Sequence, residues 1–559
     1  DIFLRSKKNE LNESETREII DFQLNLAGWT ADTKKLNYKN GTRPVENKFI
    51  AIAEWPTSSG PADYVLFYGL KPIATIEAKR INKDVAGKLD QAIRYATDFN
   101  FDIGDKDSKI PFVFSTNGRP FNKTLPTKSG IWFKNLYQND NLSRPIKNFF
   151  SPKGLKKILN KNITESNKVL DDDDFDYDLG LRYYQKQAIQ KIEEQIMNGK
   201  HSCLLSMATG TGKTKTALAF IYRALNSGLF NNILFVVDRK FLGTQAFNQF
   251  ANTKIVNDNS LNQIFEVSPL GKFSSDTEKG NCKIVTIQSL LKKTVKGKLD
   301  ETFPTVDEFD CIIIDECHRG YILDKEIDEE NILFDNEEDY LSSYRNTLEY
   351  FDAFKLGLTA TPRDFLKSVN EDDMSMTDPK ELERRLMLDT YSIFGCDDGE
   401  PTFRYSLLDG VKDGFLINPT VVDVETGLSA DIMSKEGLTF KGVDAEGKDV
   451  DEQTFFKKDF ERKFKSDETN LSFCNAFIQN ALRDPYTNEI GKTLVFCVSQ
   501  KHAVKITTIL NELAEKYFPN QYQSDFAIQV TSSITSPDPQ QMTIDFKNNN
   551  LNGNSPLNE

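Results

Sequence analysis

From about residue 200 onward, short unbroken apolar runs alternate with stretches of helical periodicity. Cys203-Leu204-Leu205-Ser206, Ile233-Leu234-Phe235-Val236-Val237 and Cys311-Ile312-Ile313-Ile314 are the clearest. Such runs between helices predict parallel strands covered on both faces, an α/β fold. The stretch 424–470, rich in Glu, Asp, Lys and Gly, predicts an excursion from the sheet, and Leu494-Val495-Phe496-Cys497-Val498 predicts that the strand pattern restarts. The N-terminal region reads differently. Ile20, Leu24 and Ala27 mark one face of a helix that Gly28 can end. Ala62–Tyr68 and Pro72–Lys79 predict two strands joined around Gly69.

The chain has 559 residues, enough for three or four domains by length alone. With 38% hydrophobic and 28% charged residues it is neither disordered nor membrane-spanning in composition. No apolar run approaches the roughly 18 to 20 residues of a spanning helix. The start lacks both an initiator Met and a basic-then-apolar signal, which predicts a trimmed end and no export. Seven cysteines without a CxxC pair argue against a disulfide framework or a cysteine-rich zinc site and fit the cytoplasm. Cys203, Cys311 and Cys497 read as buried small hydrophobes. Three histidines exclude a His-rich metal centre.

The net charge of -14 hides two unlike parts. Residues 1–170 carry 28 Lys and Arg against 19 Asp and Glu, whereas residues 171–559 carry 42 against 65. Only the first part attracts phosphates on charge alone. The seam is Leu170-Asp171-Asp172-Asp173-Asp174-Phe175-Asp176, read as a solvated linker over 169–177.

Met207-Ala208-Thr209-Gly210-Thr211-Gly212-Lys213-Thr214 follows one predicted strand and opens a helix, the context of a phosphate-binding P-loop. Backbone N–H groups around Thr209, Gly210, Thr211 and Gly212 would close on phosphate, Lys213 would reach the β/γ-phosphates of ATP, and Thr214 would bind Mg²⁺. Met207 stands where the strict pattern has Gly. Asp315-Glu316-Cys317-His318 ends another predicted strand, with Asp315 suited to the metal and Glu316 to the attacking water. In the N-terminal part, a turn centred on Leu70 would set Asp63 opposite Glu77, with Lys79 on the same face as Glu77. Two carboxylates could then hold a divalent metal beside an ammonium that steadies a developing anion. An edge hairpin with surface charges would carry the same residues. Gln91 and Tyr95 share one helix face.

These segments resemble two families joined in one chain. Asp-Glu-Cys-His, with His318 as the coupling histidine, and Thr359-Ala360-Thr361-Pro362 resemble superfamily 2 helicase motifs. Leu181–Ile189 resembles the Q motif, with Gln185 as adenine reader. Val236–Arg239, Thr286–Ser289 and Thr493–Cys497 resemble motifs Ia, Ib and IV. Asp63, Glu77 and Lys79 resemble the PD-(D/E)xK nucleases, and Gln91 and Tyr95 the QxxxY element of type I restriction R subunits. Glu15-Thr16-Arg17 resembles that family's opening, with Glu15 or Glu18 as a further acid.

From about residue 12 to Val530 the chain resembles the N-terminal part of a type I restriction enzyme R (HsdR) subunit; Phe403–Gly410 and Gly414-Phe415-Leu416 are typical of it. The resemblance implies a nuclease domain over 1–168, a first RecA-like domain over 178–390 and an incomplete second over 391–559. It implies ATP-driven translocation of double-stranded DNA, Mg²⁺-dependent cleavage, and methylase (M) and specificity (S) subunits as partners. No Gln-x-x-Gly-Arg-x-x-Arg follows Val530, so the expectation is a chain that binds nucleotide and hydrolyses it slowly. A type III restriction subunit, in which the nuclease usually follows the motor, and an ATP-switched DNA-binding protein that never cuts are the alternatives.

Overall fold

The computed structural model describes residues 13–80, 83–99, 110–122, 125–137, 143–160, 175–268, 280–296, 304–318, 337–363, 389–396, 398–419, 421, 438–443, 449–455, 467–522, 525–531 and 539–548. Two units make up the chain, Asp1–Ile417 and Asn418–Glu559.

The first unit contains two seven-stranded sheets. One is built from β1 (Thr30–Ala31), β2 (Phe49–Thr57), β3 (Gly60–Tyr68), β4 (Lys71–Ala78), β5 (Phe112–Thr116), β6 (Ile131–Asn135) and β7 (Arg144–Ile146), adjacent in chain order. Helix α1 (Glu13–Leu26) packs Ile20 and Leu24 into its core. Helix α2 (Leu89–Thr97) carries the crossover between the parallel strands β4 and β5, and α3 (Pro152–Asn160) follows β7. The β3–β4 hairpin turns at Gly69-Leu70, with Tyr68 opposite Lys71. A bulge then shifts the register, so that Phe67 pairs with Pro72 but Leu66 with Ala74. The extra residue, Ile73, changes parity for everything beyond it, because side chains alternate faces along a strand. Tyr64 consequently faces Ile76, which brings the next residues along the two strands, Asp63 and Glu77, to the same end of the hairpin.

The second sheet is wholly parallel among its described strands: β8 (Ser202–Met207), β9 (Asn232–Val237), β12 (Glu266–Ser268), β13 (Asn281–Thr286), β14 (Cys311–Ile314), β15 (Phe354–Thr359) and β16 (Phe403–Tyr405), in the order β12-β13-β9-β14-β15-β8-β16. A small ribbon of β10 (Lys254–Val256) and β11 (Asn259–Ser260) lies outside it. Helices α4 (Tyr183–Met197), α5 (Lys213–Asn226), α6 (Lys240–Asn252), α7 (Ile287–Lys296), α8 (Glu337–Tyr350) and α9 (Leu407–Lys412) connect or flank the strands. Both faces are covered: Leu205, Phe235 and Ile313 pack in one apolar cluster, Leu204, Val236 and Ile312 in another. That double burial is why the runs read as continuous rather than alternating.

Two expected boundaries move. Strand β16 pairs with β8, so 403–405 belongs to the P-loop sheet and the seam expected at 390/391 falls after Ile417. Residues 169–174 of the expected linker lie outside the described residues. At its end Asp176 is exposed, but Phe175 is 2% exposed and stacks with Tyr177, and both cover the buried Arg223.

The two sheets interlock. Arg144 pairs with Asp352, Lys147 with Glu349 at 3.5 Å, and Ser151 N–H donates to Asp307 Oδ1 at 2.9 Å. Val306, from the chain leading to β14, is fully buried in the first sheet's core.

The second unit contains the ribbon β17 (Leu438–Val443) and β18 (Asp449–Phe455) and helices α10 (Asp467–Asn480), α11 (Gln500–Tyr517) and α12 (Pro539–Lys547). Cys474 and Ile478 pack against Ile506, Leu510 and Leu513. The strand expected at Leu494–Val498 is absent. Phe496 is 91% exposed, and no described strand lies beside the segment to form a ladder, without which a β-strand has nothing to pair with. Cys497 is accordingly half-buried, while Cys203 and Cys311 are buried as expected.

Candidate functional site

The N-terminal candidates converge. Asp63 Oδ1 accepts from Arg17 Nη2 at 2.7 Å, and its Oδ2 accepts from the Ala78 backbone N–H, also at 2.7 Å. Glu77 pairs with Lys79 through Oε1, while Oε2 is buried with no donor. Lys79 Nζ donates to Gln91 Oε1 at 3.2 Å, and Gln91 Nε2 to Tyr95 Oη at 2.6 Å. Thr75 Oγ1 donates to Ala92 O at 2.8 Å, fixing α2 against β4 so that this chain of bonds can form. The face carrying Gln91 and Tyr95 therefore looks onto the carboxylate pair, not onto solvent.

Two participants escaped sequence reasoning. Arg17 bridges Asp63 and Glu54, reaching Glu54 Oε1 at 2.8 Å. Glu54 adopts φ +53 within β2, a conformation that side chains other than Gly rarely take. The polar Glu54 inside an otherwise apolar run was the available signal. Glu15 is half-buried on the first turn of α1, and the α1 side chain that bonds Asp63 is Arg17. Glu18 pairs with Lys34 at 2.8 Å.

Burial, and then the neighbouring Asp63 carboxylate, push Glu77 up to about 7. Asp63 is raised by burial, opposed by Arg17. A divalent cation fits such a pair: it would give the orphaned Glu77 oxygen a partner and relieve the repulsion. Among the described residues no trio of His, Cys, Asp or Glu forms a ready cage; Mg²⁺ commonly takes one or two carboxylates and keeps its waters. Because the fold raises this carboxyl, its stabilising share is complete below the ordinary carboxyl range and disappears as pH climbs through about 7. In metal-free buffer Glu77→Gln is therefore expected to gain on wild type across that window, by on the order of 2 kcal/mol. Denaturant titrations at pH 4 and 8 read the difference; an equal gap at both would contradict it.

The phosphate candidates sit where β8, β14 and β15 end, the edge where open parallel sheets bind ligands. Met207 is the last residue of β8 and pairs with Tyr405, so a regular strand occupies the place the strict pattern gives to Gly. Gly210 and Gly212 have φ +84 and +86, which a side chain would strain. Thr209 and Gly210 are exposed, Thr211 is buried with its hydroxyl donating to Ala208 O at 2.6 Å, and Thr214 is half-buried on the first turn of α5. Lys213 Nζ lies 3.4 Å from Met207 O and 3.6 Å from Glu316 Oε1. Burial, and then Glu316, raise Asp315 to about 6, and Lys213 opposes this. A cation held by Thr214 and Asp315 would relieve that penalty too. Glu316 takes φ +47. His318 Nδ1 is 2.8 Å from Thr359 Oγ1, which also accepts from Thr361 N–H at 3.1 Å. Gln185 is buried: Nε2 donates to Thr211 O and Oε1 accepts from Arg182 N–H, each at 2.9 Å. Its amide braces the P-loop. After β9 come Asp238 and Arg239; after β13, Thr286 and Ser289 share a 2.8 Å hydroxyl bond.

Comparison with known proteins covers both halves. Residues 30–159 match the family model of the type I restriction enzyme EcoKI endonuclease subunit second domain, and 178–364 that of the type III restriction enzyme res subunit. The type I restriction enzyme EcoKI endonuclease subunit of Escherichia coli K12 is 37% identical over 93% of this chain and 45% of its own length. The EcoAI endonuclease subunit of Escherichia coli is 30% identical over 87% and 52%. A solved fragment assigned as an HsdR subunit from Vibrio vulnificus aligns over 91% of this chain and 76% of its own, at 22% identity and TM-score 0.32. The chain thus spans about half the length of these curated relatives. It belongs to the type I restriction enzyme endonuclease (HsdR) subunit family.

Proposed function

We propose that this chain is the nuclease-and-motor part of a type I restriction subunit that pumps double-stranded DNA with ATP and cuts it with Mg²⁺, in a cytoplasmic complex with M and S subunits. The observation that carries the reading is the bonded series Glu77, Lys79, Gln91 and Tyr95, with Asp63 anchored beside it on the Ala78 N–H, standing in the same unit as the P-loop and Asp315–His318. No helix among the described residues is long and apolar enough to cross a membrane.

In this proposal Asp63 and Glu77 hold the nuclease cation, which supplies a Lewis acid for the scissile phosphate and a bound water of lowered pKa. Lys79, kept in place by Gln91 and Tyr95, steadies the developing charge. On α1 we assign the contact with the pair to Arg17 rather than Glu15. At the sheet edge, Gly210, Gly212 and Lys213 cradle phosphates, and Thr214 and Asp315 hold Mg²⁺. Glu316 orients the attacking water, and His318 reports its position to Thr359 and Thr361. The type III match spans the motor alone, and here the nuclease-like sheet precedes the motor.

The test is plasmid cleavage by the subunit assembled with M and S. Cutting should require ATP and Mg²⁺, and Lys79→Ala should lower it about a hundredfold while ATP hydrolysis persists. Undiminished cutting by both Asp63→Ala and Lys79→Ala would refute the assignment of the nuclease site to this hairpin.

A further inference from the structure

Gln185 bonds Thr211 O through Nε2 and the Arg182 N–H through Oε1, which leaves a purine base open to a second reader. The segment after β16 supplies one. Strand β16 lies along β8, and the Ala208 N–H of the P-loop donates to Tyr405 O at 2.9 Å. Tyr405 stacks on Tyr184 with ring centroids 3.7 Å apart, and the Tyr184 hydroxyl donates to Thr211 O at 2.8 Å. Helix α9 then turns the chain back, so that Phe415 lies under the Arg182 guanidinium at 4.2 Å and Leu416 sits against Gly210. Arg182 and Phe415 thus form a flat cationic and aromatic wall beside the P-loop, with Tyr183 half-exposed next to it.

One carboxylate stands on this wall. Asp413 Oδ2 accepts from the hydroxyls of both Tyr405, at 2.7 Å, and Tyr183. Its other oxygen, Oδ1, accepts no bond among the described residues, and Asp413 is exposed. Two phenols of different elements fix the orientation of this exposed acceptor.

We propose that Asp413 is the base-specificity residue of the nucleotide site. Its Oδ1 accepts from the 6-amino group of adenine while the ring lies against Arg182 and Phe415; Tyr183 and Tyr405 are positioning residues. Guanine carries an oxygen at the 6-position, which would face the carboxylate and be repelled. The inference rests on the P-loop reading of the phosphate site and extends it to the base.

The experiment is displacement of a fluorescent ATP analogue from the full 559-residue chain by ATP, by purine riboside triphosphate, which lacks the 6-amino group, and by GTP. Wild type should prefer ATP over purine riboside triphosphate by about tenfold, the worth of one hydrogen bond to a charged acceptor, and should prefer it over GTP by at least as much. Asp413→Ala should remove the preference for the 6-amino group and leave purine riboside triphosphate binding unchanged. Asp413→Asn, whose amide can donate, should swing toward GTP. Tyr405→Phe, which keeps the stack on Tyr184, should give an intermediate preference. Asp413→Ala that retains the tenfold preference, or that weakens all three triphosphates equally, overturns the assignment. Wild type binding all three equally overturns it while sparing the phosphate site. Wild type binding none removes the phosphate site and this inference together.

Discussion

Lys213→Ala is expected to lower ATP hydrolysis by the assembled enzyme by about 10³-fold and to weaken ATP binding to the chain alone. The ammonium has two neighbours, the Met207 carbonyl and the Glu316 carboxylate, and neither is a tight partner at 3.4 and 3.6 Å. It is a cation held ready, and phosphate oxygens would take it over at little cost in lost bonds. Its removal acts twice. The phosphates lose their charge partner, and Asp315 and Glu316 lose the cation that opposes their repulsion, so Asp315 rises above the about 6 it has here. Mg²⁺ binding should therefore shift to higher pH in the variant, an effect a purely steric role would not produce. Glu316→Gln separates the functions: ATP should still bind but persist unhydrolysed. Hydrolysis by Lys213→Ala within tenfold of wild type would defeat the assignment.

The second large effect is on stability. Arg223 on α5 and Glu193 on α4 form an ion pair at 2.6 Å with side chains only 1% and 4% exposed. Tyr177 Oη accepts from Arg223 at 3.0 Å, and the guanidinium lies 4.2 Å over the Phe175 ring. Arg223→Ala would leave Glu193 buried without its cation, a loss of about 3–5 kcal/mol. Replacing both with apolar residues of similar bulk should recover most of it, since the pair gains little over good packing once its desolvation is counted. Urea denaturation followed by tryptophan-independent far-UV signal reads this directly. Equal destabilisation in the single and double variants would mean that packing, not the stranded charge, sets the cost.

What could be read from the sequence was what depends on near neighbours. The P-loop, Asp315–His318 and Thr359–Thr361 each consist of a strand end and the turn after it, so a few consecutive residues carry both type and place. The carboxylate pair was nearly as legible, because parity around the turn could be guessed; the bulge at Ile73 is what makes the guessed register true. Arg17 was hidden since its partner Asp63 is 46 residues away. Gln185 was legible as a motif but not as a brace, since only the fold shows that Thr211 O takes its amide. The run at Leu494–Val498 shows the opposite failure: apolar residues announce a strand, but a strand exists only if another lies beside it. Phe175 and Tyr177 were lost in the acid run's charge, although their rings seal the Arg223 guanidinium, whose side chain is only 1% exposed.

Val306 belongs along the chain to the approach to β14 and in space to the core of the first sheet. The seam drawn along the chain and the seam drawn through space are therefore different surfaces. Cutting the gene between the two sheets would remove a plug from one half and leave an apolar stub on the other. The halves are thus poor candidates for recombination as separate cassettes, and substitutions at Val306 are constrained by a neighbour encoded some hundred and fifty codons upstream.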